Sequence, residues 1–447
     1  MRFLYRQTSD DIASLVSIMA RVTEHRRKRT HGIQRIDLAY AELASSEIAR
    51  DINRDVILEL IRANQPVSRA DLSRLSGLQP STTSAIVGQL LNEKWIVEGA
   101  ATPRPRGRRP TLVSLNPGMV IAVASIRPNR AILAVVDLNG RFLSRESLTL
   151  LPDPKRSVEK LIAGLQRMIE SHPDKSFEGI GLSLPGRVDP VSQILLLAPN
   201  LLWSPYNIKD AIERRIPLQV EMDNEANACL LSELWFGRMD GVRNAVLVAI
   251  SEGIGAAILA NGQMVRGQSG LAGEFGHISI NPVGPLCSCG QRGCWEMYAS
   301  SSAAIRYYAE LQPDVTRPTL TELLNMADKN DASAIQAFSR QATYLAQGLL
   351  IVIATLSPEV ILLTGGLTAS WKRFGPIVEG ELADLTLAGR PPHIAITPDP
   401  ELALLRGAAA LVLQRHSGYS RSQPIVAKSK SIRIRRNRTI RSPAAQE

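Results

Sequence analysis

Ile52, Val56, Ile57, Leu60 and Ile61 recur at helical spacing and predict one amphipathic helix beginning near Asp51. After Gln65-Pro66, Ser68 with Asp71 three residues on has the form of an N-cap with an acidic partner. A short helix follows, with Leu72 and Leu75 apolar, and Gly77 stands where a left-handed residue would end it. Pro80 can open a third helix with Ile86, Val87, Leu90 and Leu91 as its stripe, leaving Ser81, Thr82 and Ser84 at or near its exposed N-terminal end. Two short helices joined by a tight glycine turn match a helix-turn-helix, whose second helix enters the major groove. Any three-helix packing unit would share that pattern. The segments Trp95-Ile96-Val97 and Thr111-Leu112-Val113-Ser114-Leu115 can pair as strands. Between them Arg104, Arg106, Arg108 and Arg109 alternate with Pro and Gly, a hairpin tip suited to phosphates or a narrow minor groove. A surface loop without a ligand is the plainer alternative.

Farther along, apolar strands are predicted at 120–125 and 131–138, closed by the turn signal Asn139-Gly140. Gly179-Ile180-Gly181-Leu182-Ser183-Leu184 runs into Pro185-Gly186. A strand over 244–251 turns back through Gly253-Ile254-Gly255, and another over 358–363 ends in Thr364-Gly365-Gly366. Such strand-to-glycine junctions occur where backbone amides approach a ligand, and glycine also serves ordinary turns. The division expected is an unassigned N-terminal extension (1–50) with the basic cluster Arg26-Arg27-Lys28-Arg29, a winged helix-turn-helix (51–117), an α/β domain (118–415), and a basic tail (416–447) expected to be disordered.

Length and charge sharpen this division. With 447 residues the chain suits two or three domains, and 45% apolar with 21% charged residues is ordinary globular composition. No apolar run approaches a membrane span, the first ten residues are no signal peptide, and four cysteines make no disulfide scaffold, so the expectation is a cytoplasmic protein. Lys+Arg minus Asp+Glu is 52 − 42, or +10. Residues 1–118 contribute 18 − 12, or +6, and residues 421–447 contribute 8 − 1, or +7, which leaves 10 − 13, or −3, for the stretch between. Basic ends around an acidic middle suit a polyanion partner, or are simply solvated.

Three cysteines lie within eight residues, and with His277 they give the spacing H-x9-C-x-C-x4-C through Cys287, Cys289 and Cys294. Three thiolates and an imidazole complete a tetrahedral shell, and four protein ligands leave no open position, so a structural Zn2+ is expected. A disulfide is disfavoured in a cytoplasmic protein. Cys229 stands apart in an apolar run and reads as a core residue.

Gly270-Leu271-Ala272-Gly273-Glu274-Phe275-Gly276-His277, followed by Gly284 and the cysteine segment through Glu296, resembles the ROK family of repressors, open reading frames and kinases. Leu184-Pro185-Gly186-Arg187-Val188-Asp189, Ala198-Pro199-Asn200-Leu201, Asp223-Asn224-Glu225-Ala226-Asn227 and Leu356-Ser357-Pro358-Glu359 are similar to further family segments. The resemblance implies an actin-like, two-lobed α/β domain with a sugar cleft, behind a winged helix like that of the family's regulators. It implies sugar contacts by Asn224, donating and accepting, and by Glu225, Glu274, His277 and Glu296, with the other ring nitrogen of His277 on zinc.

Two departures from the family's kinases are visible. Glu225 stands where they carry an aspartate base, and Ala124-Ser125-Ile126-Arg127-Pro128 replaces their Asp-x-Gly-Gly-Thr phosphate turn, so that Ile126 and Arg127 are expected to crowd the phosphate path. The implied function is a sugar-responsive transcriptional repressor rather than an enzyme. Its partners would be a double-stranded DNA operator and a sugar effector, its form a homodimer or homotetramer, and it would have no membrane role. A sugar kinase with an added DNA-binding domain is the alternative.

Overall fold

The computed structural model describes residues 46–99, 111–198, 201, 203, 206–237, 239, 241–383 and 391–415. From Ile48 on, the described elements fall within one unit, Ile48–Gln423. The chain opens with α1 (Ser46–Asn64), the short strand β1 (Val67–Ser68), α2 (Arg69–Ser76) and α3 (Pro80–Asn92). The Ser68 hydroxyl accepts the Asp71 amide at 3.1 Å, and Gly77, at φ 72°, ends α2 by donating to the Ser73 carbonyl. Pro80 occupies the first turn of α3, which buries Thr83, Ile86, Val87 and Leu90. Then β2 (Ile96–Glu98) and β3 (Leu112–Leu115) pair antiparallel, with Ile96 opposite Leu115, and β1 flanks β3. This is a winged helix, and the tip of its wing lies outside the described residues.

The single stripe expected for α1 is two stripes. Ile57 and Ile61 are fully buried, whereas Ile52 is 50% exposed and Val56 41%. At about 100° per residue, positions 52 and 56 fall on a different side of the cylinder from 57 and 61. That second side walls a cavity of about 600 Å³ together with Asp223, Leu234, Met264 and Leu411. Leu75 is likewise exposed rather than packed, because an eight-residue helix has room for one buried apolar position, Leu72.

Two sheets of the same plan follow. The first lobe is built on β4 (Met119–Arg127), β5 (Arg130–Asp137), β6 (Phe142–Thr149), α4 (Pro154–Glu170) and β7 (Ser176–Leu184). It continues through the hairpin β8 (Arg187–Val188) and β9 (Leu195–Leu197), then α5 (Ile208–Glu213) and β10 (Val220–Asn224), in the strand order β10-β7-β4-β5-β6. After α6 (Glu225–Phe236), the second lobe begins with β11 (Ala245–Ile250), β12 (Ile254–Ala260) and β13 (Gln263–Val265). The helices α7 (Glu296–Ala299), α8 (Ser301–Leu311), α9 (Leu320–Asp328) and α10 (Ala332–Leu356) come next, then β14 (Val360–Gly365), α11 (Trp371–Ala383) and β15 (His393–Ile396). Its order is β13-β12-β11-β14-β15, and α12 (Pro400–Gln414) closes the domain. In each lobe two antiparallel pairs lead into two parallel ones.

Strand β4 is apolar on both faces because both are covered. Its Val120, Ala122, Ala124 and Ile126 pack toward Leu161 and Leu165 of α4. The alternate positions Ile121 and Val123 share a core with Ile57, Ile61 and Leu90 of the winged helix and with Leu405 and Val412 of α12. The winged helix therefore has no separate core of its own but is continuous with the first lobe. Polar ties reinforce the joint: Arg62 donates to the Trp235 carbonyl at 2.6 Å, while Gln65 donates to Asn139 at 2.7 Å and accepts the Leu115 amide at 2.9 Å. No helix among the described residues is long and apolar enough to cross a membrane.

Candidate functional site

The segment after β13 folds back on the second sheet as a 3-10 turn (Glu274–His277), and a knuckle then runs to α7. Isolated bridges join Ser279 to Cys294 and Leu286 to Arg292, and the Cys287 amide donates to the Gln291 carbonyl. Gly293 has φ 71°, and a Cβ there would lie 1.6 Å from the Asn281 carbonyl, so only glycine closes this knuckle. The turn brings one ligand atom each from His277, Cys287, Cys289 and Cys294 within 4.8 Å of one another. His277 Nδ1 stands 3.6 Å from Cys287 Sγ, and Cys289 Sγ 3.5 Å from Cys294 Sγ. A tetrahedron with arms of about 2.3 Å has edges of roughly 3.8 Å, so the donor set fits a four-coordinate metal ion. Burial, then the hydrogen bond to Glu296 at 2.9 Å, pushes the Cys287 thiol up to about 12. A metal ion in this shell would supply the positive charge that stabilises cysteine thiolates.

Beside the cluster, His277 presents its two nitrogens to different neighbours. Nδ1 lies on the cysteine side, 3.4 Å from Glu296 Oε1, and Nε2 lies 3.6 Å from Glu274 Oε2. Glu296 reaches in two directions as well, since its Oε2 accepts the Ile254 amide at 3.4 Å across the β11–β12 turn. Gly253 in that turn admits the carboxylate, for a Cβ there would sit 2.6 Å from Oε2. Glu274, His277 and Glu296 thus form one group, tied to the cysteines on one side and to the β11–β12 turn on the other.

Asn224 and Glu225 sit at the start of α6. The Asn224 side-chain oxygen caps the helix by accepting the Asn227 amide at 2.8 Å, which leaves its amide N–H groups as the part it offers to a ligand. Its neighbour Asp223 is buried, taking Arg266 Nε and Asn227 Nδ2 at 2.8 Å each. The position of Arg266 carries no sequence signal. Glu225 faces Arg127 at 3.7 Å, and both line a cavity of about 330 Å³. Burial pushes the Glu225 carboxyl up, Arg127 opposes this, and Glu252 adds to it. Ile126 does not crowd this space as the sequence implied: strand alternation turns it into the α4-side core, and only Arg127 reaches the cleft. Among the described residues, no hydrogen bond or ion pair joins the Asn224 or Glu225 side chain to the Glu274 group.

On the winged helix, Ser81 and Thr82 are exposed and Ser84 is half-buried at the N-terminal end of α3. Arg104, Arg106, Arg108 and Arg109 lie outside the described residues, as do the N-terminal extension up to residue 45 and the basic tail.

The ROK family model matches residues 128–415. The chain is 31% identical over 338 residues to the xylose repressor of Bacillus subtilis (strain 168), covering 74% of this chain and 86% of that protein. A crystal structure of a ROK family transcriptional regulator, described as a homologue of the E. coli MLC protein, is 25% identical and superposes with a TM-score of 0.73, covering 84% of this chain and 99% of that one. A ROK family glucokinase from Streptomyces griseus, solved with glucose and AMPPNP, is 28% identical with a TM-score of 0.60, covering 66% and 99%. The glucokinase match leaves about a third of this chain uncovered, whereas the regulator match extends over most of it. Since the family model spans well over half of the chain and the xylose repressor is 31% identical across most of both proteins, the chain belongs to the ROK family.

Proposed function

We propose that this protein is a sugar-responsive DNA-binding repressor whose ROK domain holds a structural zinc ion and reads a sugar effector. The observation that carries this reading is the core shared by the winged helix and the first lobe, with Ile57, Ile61 and Leu90 packed against Ile121 and Val123. A helix-turn-helix so joined moves with the sheet that leads to Asn224. A ligand that brings the lobes together changes the placement of α3, to the extent that it binds one arrangement better than the other. Likeness to the xylose repressor supports the same assignment.

In this reading His277, Cys287, Cys289 and Cys294 hold the zinc, which fixes the His277 ring. Glu274 and Glu296 accept sugar hydroxyls, and Asn224 donates through its amide. Ser81, Thr82 and Ser84 face the major groove, and the wing arginines Arg104, Arg106, Arg108 and Arg109 reach the backbone. Pairing of two recognition helices on a two-fold operator calls for a homodimer or a larger even assembly. The glucokinase likeness keeps phosphoryl transfer as the rival reading. Against it stand the Glu225 carboxylate paired with Arg127, and Pro128, which offers no amide to a phosphate.

The test sets operator binding beside catalysis. DNA sites selected from a random pool should bind the metal-loaded protein tightly. The same preparation should form no sugar phosphate from any hexose or pentose with magnesium and ATP. ATP-dependent phosphorylation that Glu225→Gln abolishes would establish the kinase instead.

A further inference from the structure

Ile52 and Val56 of α1 stay 50% and 41% exposed because they face a cavity rather than a packed neighbour. Leu60, Leu234, Met264 and Leu411 share that wall, and the volume, about 600 Å³, is that of a small-molecule pocket. The cavity lies at a joint of the fold, where ligand sites are common. Its α1 wall belongs to the winged helix, Glu221-Met222-Asp223 to β10 of the first lobe, and Gly262-Gln263-Met264 to the β12–β13 hairpin of the second. It shares no lining residue with the Glu274, His277 and Glu296 group or with the cavity beside Glu225.

The charges on the wall select the occupant. Asp55 and Glu59 come from α1 and Glu221 and Asp223 from β10, against Arg266 and Arg415, so carboxylates outnumber guanidiniums four to two among the described residues. Their ion-pair partners outside the lining, Glu93 and Glu178 against Arg54 and Arg62, cancel, and the excess stands. Both guanidiniums of the wall are engaged: Arg266 Nε donates to Asp223 at 2.8 Å, and Arg415 donates to Glu178 at 3.1 Å. An anion entering here meets net negative charge, whereas a cation is attracted, the more strongly for the apolar surroundings. Trp235, the one aromatic residue of the lining among the described residues, also favours a cation. The apolar wall holds a hydrocarbon body by removing its surface from water, and offers little to the hydroxyls of a sugar.

We propose that this cavity binds an amphipathic organic cation, with an ammonium group among Asp55, Glu221 and Asp223 and an apolar body against Ile52, Val56 and Leu411. The site stands apart from the sugar cleft and does not depend on it. Its occupant touches the winged helix together with the Asp223–Arg266 pair that ties the two lobes, so occupancy stiffens that joint.

Calorimetric titration of the full-length protein with phenylbutylamine, phenylbutanol and phenylbutyrate tests this, since the three share one apolar body and differ in charge. The amine should bind, the alcohol should bind about tenfold or more weakly, and the carboxylate should not bind detectably. Glu221→Gln and, on a different element, Asp55→Asn should each weaken the amine while leaving the alcohol unchanged, which a fold defect would not do. Val56→Phe, at an exposed position, should fill part of the cavity and weaken both compounds about tenfold or more. Hydrogen exchange should slow over α1 and residues 262–266 when the amine binds. The proposal is overturned if no compound binds, if the carboxylate binds as well as the amine, or if amine binding ignores all three variants. Loss of amine binding in Glu274→Gln would assign the amine to the sugar cleft and overturn it too. A change of oligomeric state in Val56→Phe, read by light scattering, would assign the face to a second copy of the chain, with the same consequence.

Discussion

The two lobes repeat one five-stranded plan, and each has an antiparallel hairpin whose end reaches the same cavity: Arg127 at the end of β4 in the first lobe, Ser251 and Glu252 after β11 in the second. In the second lobe the turn keeps Gly253, and a carboxylate from α7 comes within contact of it. In the first lobe the turn carries a guanidinium and then Pro128, so a charged side chain stands where a bare backbone would admit a ligand. The sheets are also secured differently. The first lobe is closed on one face by the winged helix and α12, through apolar packing with the Arg62 and Gln65 ties at its edge. The second lobe carries the knuckle of His277, Cys287, Cys289 and Cys294, a short irregular segment that leaves Val283 and Leu286 exposed. In the proposed reading, one strand plan serves as a mechanical mount in one copy and as a metal-braced binding wall in the other.

Removing the brace should have the largest effect. Cys289→Ser alters an exposed side chain, so packing is hardly touched, yet it deletes one of the four proposed metal ligands. Since metal binding of this type is worth on the order of 10 kcal/mol, zinc content should drop well below one per chain, and hydrogen exchange should accelerate over residues 277–296 while the winged helix stays protected. Full zinc occupancy by elemental analysis would refute the ligand set.

Cutting the mount comes next. Ile121→Ala empties a fully buried position between sheet and winged helix and should cost about 2–5 kcal/mol in urea unfolding. Exchange protection should fall together in α1, α3 and β4. Loss confined to β4 would mean that the winged helix is an independent domain.

The N-cap tests local structure on the same side. Ser68→Ala should cost about 1 kcal/mol and weaken α2 ahead of α3, read by the same two methods.

The smallest effect concerns Glu225. Its carboxyl is raised by burial above the usual 4.5, so the folded state holds this proton more tightly than the unfolded chain does. Stability from that preference is fully present below 4.5 and is lost as pH climbs from there through the folded value. The melting temperature of wild type minus that of Glu225→Gln should therefore fall as pH rises across this window; a flat or rising difference would contradict the burial.

Much of this architecture was legible in the residues because it rests on local rules. Ser68 with Asp71, Gly77 and Pro80 punctuate the helices as short-range sterics and capping demand, and the spacing of His277 with the three cysteines is itself the geometry of a knuckle. What escaped was set by packing at long range. Ile52 and Val56 share helical spacing with Ile57 and Ile61, and periodicity alone does not say which stripe meets the sheet. Ile126 and Arg127 are neighbours in sequence, yet strand alternation sends one into the core and the other into the cleft. The pairing of Asp223 with Arg266 joins residues 43 apart in the chain, and no pattern announces it. Nor does any pattern announce that the Asn224 oxygen is taken up by the helix cap.

The central claim is that ligand binding in the lobes and operator binding by the winged helix are coupled through their shared core. The most direct test is a linkage measurement with metal-loaded protein: operator affinity by fluorescence anisotropy across a sugar panel, and sugar affinity by calorimetry with and without saturating operator. One sugar should change the operator Kd about tenfold or more, and the operator should change that sugar's Kd by the same factor. A sugar that binds the protein while leaving operator affinity unchanged, with no other sugar altering it, would contradict the account.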